Sequence, residues 1–108
     1  MLELKEQNGL IIGNLSETNR LNAAVAPDIK SQLTEVLSSK GAKMVLNLSN
    51  IKFIDSTGIG TLISALKTAR ENNGTFQLCA LQKEVMNLIT LMKLDKVFDI
   101  FPDESTAG

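Results

Sequence analysis

The run Leu46-Asn47-Leu48-Ser49-Asn50-Ile51-Lys52-Phe53-Ile54-Asp55-Ser56-Thr57-Gly58-Ile59-Gly60 carries the reading of this chain. Its front end continues Met44-Val45, and Met44 to Leu48 is short, apolar and β-favouring, as expected of a central strand covered on both faces. Asn50 marks a turn, and Ile51 to Ile54 leads into Asp55-Ser56-Thr57, residue types that cap helices, just before an apolar-periodic run. From Ile59 onward, Leu62, Ile63, Leu66 and Ala69 recur with helical spacing, and Asn72-Asn73-Gly74 closes the helix. A buried strand thus feeds a helix through a short polar connection.

Upstream, Leu2 to Lys5 alternates with charges, and Leu10-Ile11-Ile12-Gly13-Asn14-Leu15 follows the turn signal Gln7-Asn8-Gly9, which predicts a hairpin. Ser16 to Asn22 is polar, and an Ala-rich stretch reaches Pro27, which suits the first turn of a helix. Ile29, Leu33, Val36 and Leu37 share one helical stripe, so that helix runs to about Lys40, with Gly41 as its stop. Downstream, Phe76 to Ala80 reads as a strand, and Val85, Leu88, Ile89 and Met92 as a third helix. Val97 to Phe101 reads as a last strand. The order ββαβαβαβ predicts an α/β fold with a mixed central β-sheet and helices packed against it. Residues 1–101 form the domain, and 102–108 are expected to be a flexible tail.

A chain of 108 residues accommodates one core, and 44% hydrophobic with 21% charged residues is ordinary for a folded domain. Eleven basic against twelve acidic residues leave a net charge of -1, without the basic footprint that binding a phosphate backbone needs, so no nucleic-acid partner is expected. Histidine is absent and Cys79 is the single cysteine, which removes the commonest general base and metal ligand and leaves neither a disulfide framework nor a thiolate metal site. Without Trp or Tyr, packing is left to Leu, Ile, Val, Met and four Phe. No apolar run is long enough to span a bilayer and Met1 to Glu6 lacks the apolar stretch of a signal peptide, so a cytoplasmic location is expected.

The turn from Asp55 to Gly60 concentrates two hydroxyls and two glycines at a helix N-terminus, where the helix dipole favours negative charge. Plain helix capping explains Asp55 or Ser56 equally well. Thr57-Gly58-Ile59-Gly60-Thr61 lacks the third glycine of a dinucleotide fingerprint, and no Gly-Lys-Ser/Thr loop occurs. Ser56 has no histidine to activate it as a nucleophile, so no enzyme and no cofactor is expected. Met44, Met86 and Met92 fit core filling, and Cys79 a small buried hydrophobe. Lys67, Arg70 and Glu71 fit a solvated helix face, with Lys67 a candidate partner contact beside the turn.

Leu46 to Gly60 closely resembles the strand, loop and helix start of bacterial anti-sigma factor antagonists, the stand-alone STAS domains. The likeness extends to the strand pair, the Ala26-Pro27 helix entry, the Asn73-Gly74 turn, and Leu94 and Phe98 beyond the last helix. It implies a phosphorylation-controlled switch in protein binding. In that family the serine after the Asp, here Ser56, is phosphorylated by an anti-sigma factor that is also a GHKL-type serine kinase, and a serine phosphatase restores it. The unphosphorylated form binds the anti-sigma factor and frees the sigma factor. Thr57 is the competing hydroxyl. Asn22, Asp55, Ser56, Thr57, Gly58, Ile59, Gly60 and Lys67 are the expected contact residues. Many members carry Leu-Asp where this chain has Leu21-Asn22, so an amide replaces a carboxylate there, and the kinase contact or the magnesium-nucleotide geometry is altered; Asn22 also reads as an ordinary turn residue. The rival reading is a STAS adaptor subunit of an ABC-type membrane transport assembly, which need not keep a phosphorylatable hydroxyl. A small-ligand sensor would require a formed apolar pocket.

Overall fold

Asn8 and Gly9 both have positive φ, 54° and 82°, the backbone that a two-residue hairpin turn demands. In the computed structural model, which describes residues 1–108, they join β1 (Leu2–Gln7) to β2 (Leu10–Leu15), paired antiparallel from Leu2 opposite Leu15 to Gln7 opposite Leu10. The chain continues through β3 (Arg20–Leu21), α1 (Ala26–Leu37), β4 (Lys43–Asn47), β5 (Phe53–Ile54) and α2 (Ser56–Glu71). It ends with β6 (Thr75–Cys79), α3 (Lys83–Leu91) and β7 (Ile100–Phe101). The main sheet has the order β1-β2-β4-β6-β7, parallel except for β1, and β3 and β5 form a separate two-stranded sheet.

Because β2, β4, β6 and β7 advance across the sheet in one direction, right-handed crossovers place α1, α2 and α3 on the same face. That face holds a core of 20 buried residues, among them Met44, Leu46 and Leu78 from the sheet and Ile29, Leu33, Leu62 and Ile89 from the helices. The opposite face has only Ile12, Val45 and Cys79 buried, with Leu10, Ala80, Phe101 and Ala107 packed around them.

The predicted ββαβαβαβ order is that of the main sheet and its helices, and the two-residue strands β3 and β5 are additions to it. α1 stops at Leu37 and not at Lys40: the Ser38 N–H still makes the helical bond to the Thr34 carbonyl at 2.9 Å, but the Ser39 N–H turns to the Val36 carbonyl, and Gly41, at φ 75°, sends its N–H to the Asn72 carbonyl at 2.7 Å. The last strand begins at Ile100 and not at Val97. Lys93, at φ 61°, breaks the chain after α3, a 3-10 turn covers Leu94–Lys96, and Phe98 turns inward, edge-to-face on Phe76 with centroids 6.4 Å apart. The same break leaves Met92 46% exposed, against the expectation of core filling. Phe53 is likewise outside the core, 53% exposed, with the Arg20 guanidinium 5.0 Å above its ring.

Residues 102–108, expected to form a flexible tail, lie across the second face of the sheet. Asp103 caps a 3-10 turn at Glu104–Thr106 through the Thr106 N–H, Ala107 packs on the small apolar cluster, and the Gly108 N–H donates to Gln77 Oε1 at 3.0 Å. Glu104 accepts from Asn47 Nδ2 at 2.6 Å and pairs with Lys5 Nζ at 3.1 Å. The Asn47 and Lys5 contacts hold the Glu104 carboxyl below the usual range. Burial, with Glu104 and Asp103 nearby, pushes the Cys79 thiol up to about 11, so it is protonated at neutral pH.

Candidate functional site

Beyond β4 the chain keeps Leu48 and Ile51 fully buried, which pins the connection between them to the core. Asn50 Nδ2 donates to the Leu15 carbonyl at 3.2 Å and Gln82 Nε2 to that of Ser49 at 2.7 Å, so neighbouring connections on the same end of the sheet are tied together. The Lys52 N–H then donates to the Asn19 carbonyl at 2.8 Å, and β5 pairs in parallel with β3, Arg20 opposite Phe53 and Leu21 opposite Ile54. This small sheet carries the chain to the start of α2.

Asp55 is the N-cap of α2. Its backbone is extended (φ -106°, ψ -175°), its Oδ1 accepts the Gly58 N–H at 2.9 Å, and its carbonyl accepts the Ile59 N–H at 2.9 Å. A cap of this kind stabilises a helix by about 1 kcal/mol. The capping interpretation of Asp55 is therefore realised, and it leaves Ser56 and Thr57 exposed in the first turn. Gly58 explains why the turn sits where it does. A Cβ there would lie 2.1 Å from the Leu21 carbonyl oxygen and 2.9 Å from Leu21 Cγ, so only glycine lets β3 press against the helix start. The Asp55 N–H donates to that same carbonyl at 3.2 Å. Gly58 thereby joins the segment before α1 to the serine-bearing turn.

Asn22 follows directly. Its side-chain Oδ1 accepts the Ala24 N–H at 3.1 Å, and its carbonyl accepts the Val25 and Ala26 N–H groups at 3.1 and 2.8 Å, which makes it a turn residue leading into α1. Of the expected contact residues, Asp55, Ser56, Thr57 and Gly60 are exposed together, and Asn22 is half-buried beside them through the Leu21 contact. Ile59 is 3% exposed and belongs to the core, so it offers no side chain to a partner, and Gly58 is buried as well. Lys67 is exposed on α2, eleven residues or roughly 16 Å along the axis from Ser56.

Sequence reasoning missed a groove between the starts of α1 and α2, about 480 Å³ in volume, lined by Ala26, Pro27, Lys30, Thr57, Gly60 and Thr61. Pro27 marked the start of one helix and Asp55 that of the other, but nothing in the sequence showed that the two starts are neighbours. The sheet has no point at which its winding reverses, so it lacks the crevice where open α/β sheets usually bind ligands.

Fold and site together define a class, an α/β domain with helices on one face and an exposed, hydroxyl-bearing turn at the start of its second helix. The STAS domain family model matches residues 1–107, and the chain belongs to that family. It is 25% identical over 107 residues to an anti-sigma F factor antagonist of Paenibacillus polymyxa, covering 98% of this chain and 90% of that protein. A crystal structure of a Thermotoga maritima protein matches with a TM-score of 0.84 at 27% identity, covering 96% of this chain and 88% of the other. The anti-sigma factor antagonist SpoIIAA in its unphosphorylated form shares the fold, with a TM-score of 0.76 at 14% identity, covering 97% of this chain and 90% of SpoIIAA. SpoIIAA from Bacillus is also known in a phosphorylated form, which matches with a TM-score of 0.70 at 13% identity.

Proposed function

We propose that this STAS domain is an anti-sigma factor antagonist whose binding is switched by phosphorylation at Ser56. The observation that supports this most directly is the placement of Ser56. It is the exposed first residue of α2, next to a capping carboxylate and held against the segment before α1 by the Gly58 contact. Unphosphorylated, the surface formed by Asn22, Asp55, Ser56, Thr57 and Gly60 binds an anti-sigma factor with GHKL-type serine kinase activity, and the sigma factor is released. The names of the relatives support the antagonist role.

The switch is electrostatic and local. A phosphoserine adds roughly -1.5 to -2 charge units at neutral pH. Within a protein interface that charge would be desolvated beside Asp55, so the complex weakens, while in the free protein the helix N-terminus and water stabilise it. Neither state requires refolding. A serine phosphatase returns the chain to its binding form.

Incubation with the anti-sigma kinase encoded in the same genome and ATP, followed by mass spectrometry, tests the site. Ser56→Ala should abolish phosphate incorporation; incorporation at the wild-type rate would refute the assignment and point to Thr57. Ser56→Asp should weaken the complex, and an unchanged dissociation constant would refute the charge mechanism.

A further inference from the structure

The segment over the second face of the sheet is fastened by two of its residues. From Pro102 to Gly108 only Glu104 and Ala107 are half-buried, and the others are exposed. Glu104 lies where β1, β2 and β4, neighbours in the sheet, bring Lys5, Asn14 and Asn47 together. Asn47 Nδ2 and Lys5 Nζ hold its carboxylate at 2.6 and 3.1 Å, and with the Asn14 side chain they favour its ionised form. The Asn47 amide is oriented for this from its other end, since its Oδ1 accepts the Ser49 N–H at 2.8 Å and leaves the NH2 group to donate. Asp103, by contrast, uses its carboxylate within the segment, on the Ser105 hydroxyl and the Thr106 N–H. Three residues after Glu104, Ala107 packs against the cluster of Ile12, Val45 and Cys79. Its methyl group fills little of the space: a cavity of about 390 Å³ remains between the segment and the hairpin, with Gln7, Leu10 and Ile12 on one side and Glu104, Ser105 and Ala107 on the other.

We propose that this face of the sheet is a binding site for an acidic peptide segment of a partner protein, and that residues 102–108 occupy it as a tethered stand-in. The partner segment places a carboxylate between Lys5 and Asn47 and, three residues later, an apolar side chain larger than alanine over Ile12, Val45 and Cys79. It recovers the ion pair and the amide hydrogen bond that the chain's own segment makes, and it adds the apolar contact that Ala107 leaves unmade. Because the stand-in is covalently attached, it competes at high effective concentration and sets the threshold a partner must exceed. The site is on the face opposite α2, so it does not rest on the antagonist reading.

The probe is a seven-residue peptide with the sequence of residues 102–108 carrying Ala107→Leu, titrated into the full-length chain while its backbone amide NMR signals are followed. In the Glu104→Ala chain, whose own segment has lost its carboxylate, the peptide should shift the Ile12, Val45 and Gln77 signals and bind about tenfold more tightly than to the wild-type chain. Glu104→Gln in the peptide should weaken binding to the same chain about tenfold. Lys5→Glu added to Glu104→Ala should abolish it, and thermal melts establish that each variant folds. Absence of those shifts at millimolar peptide, or equal binding of the glutamate and glutamine peptides, would overturn the site. A dimer that grows with wild-type concentration and is lost in the Glu104→Ala chain would overturn the choice of partner, by showing that the face receives the same segment of a second copy.

Discussion

The two faces of the sheet are sealed in different ways. Behind one lie three helices and a core of 20 buried residues; across the other lies a seven-residue segment over three buried side chains. Neighbouring residues of β4 show the contrast, since Leu46 points into the helix-covered core and Val45 into the small cluster, and both are fully buried. Stability therefore resides on the face that also carries the serine-bearing turn. The tail-covered face is held by few groups, and polar ones at that, chiefly Glu104 with Asn47 and Lys5.

The largest expected effect comes from Leu46→Ala, which should cost about 2–5 kcal/mol in denaturant unfolding. Val45→Ala should cost roughly 1.5 kcal/mol, from the apolar groups removed at about 0.8 kcal/mol each. Equal losses would mean that the two faces are equivalent. Next, Gly58→Ala forces a Cβ against the Leu21 carbonyl and should cost about 1–3 kcal/mol, whereas Gly60→Ala, two residues further along α2 and open to solvent, should stabilise by roughly 0.5–1 kcal/mol. Opposite signs at two glycines of one motif would separate a fold requirement from a binding requirement.

Much of the helix-covered face was legible in the sequence, because its signals are local. Asn8-Gly9 specified a hairpin, and Ile29, Leu33 and Leu37 marked the buried stripe of α1. The weaker features depend on distant partners. β3 and β5 are two residues each, too short for any periodicity, and exist because Leu21 and Ile54 meet. Met92 and Phe53 were expected inside by type, but the break at Lys93 and the stacking of Arg20 keep them outside. At the site, Asp55 could be recognised as a cap from its own neighbourhood. The need for glycine at position 58 could not, since the atom that forbids a Cβ belongs to Leu21.

Smaller effects probe the tail-covered face. Glu104→Ala should lower global stability by less than about 1 kcal/mol, yet alkylation of Cys79 at pH 8 should quicken measurably, because the segment over the thiol loses its anchor. An unchanged rate would show that Glu104 does not hold the segment in place. The pH dependence has a definite sign. The carboxyl of Glu104 titrates lower in the folded protein than in the unfolded chain, so its contribution is present at neutral pH and fades as pH falls through the folded value. NMR titration of the Asn47 side-chain amide signals should therefore give a midpoint below the ordinary glutamate range, and a midpoint at the ordinary value would remove the anchor.

The one-directional order of the sheet leaves β1 at one edge and β7 at the other. β1 presents Glu3, Lys5 and Glu6 to solvent, and β7 is only two residues long. Charges at one margin and brevity at the other deprive a second copy of a template for strand-by-strand growth. Such margins guard against aggregation and keep each copy of the domain separate from the next.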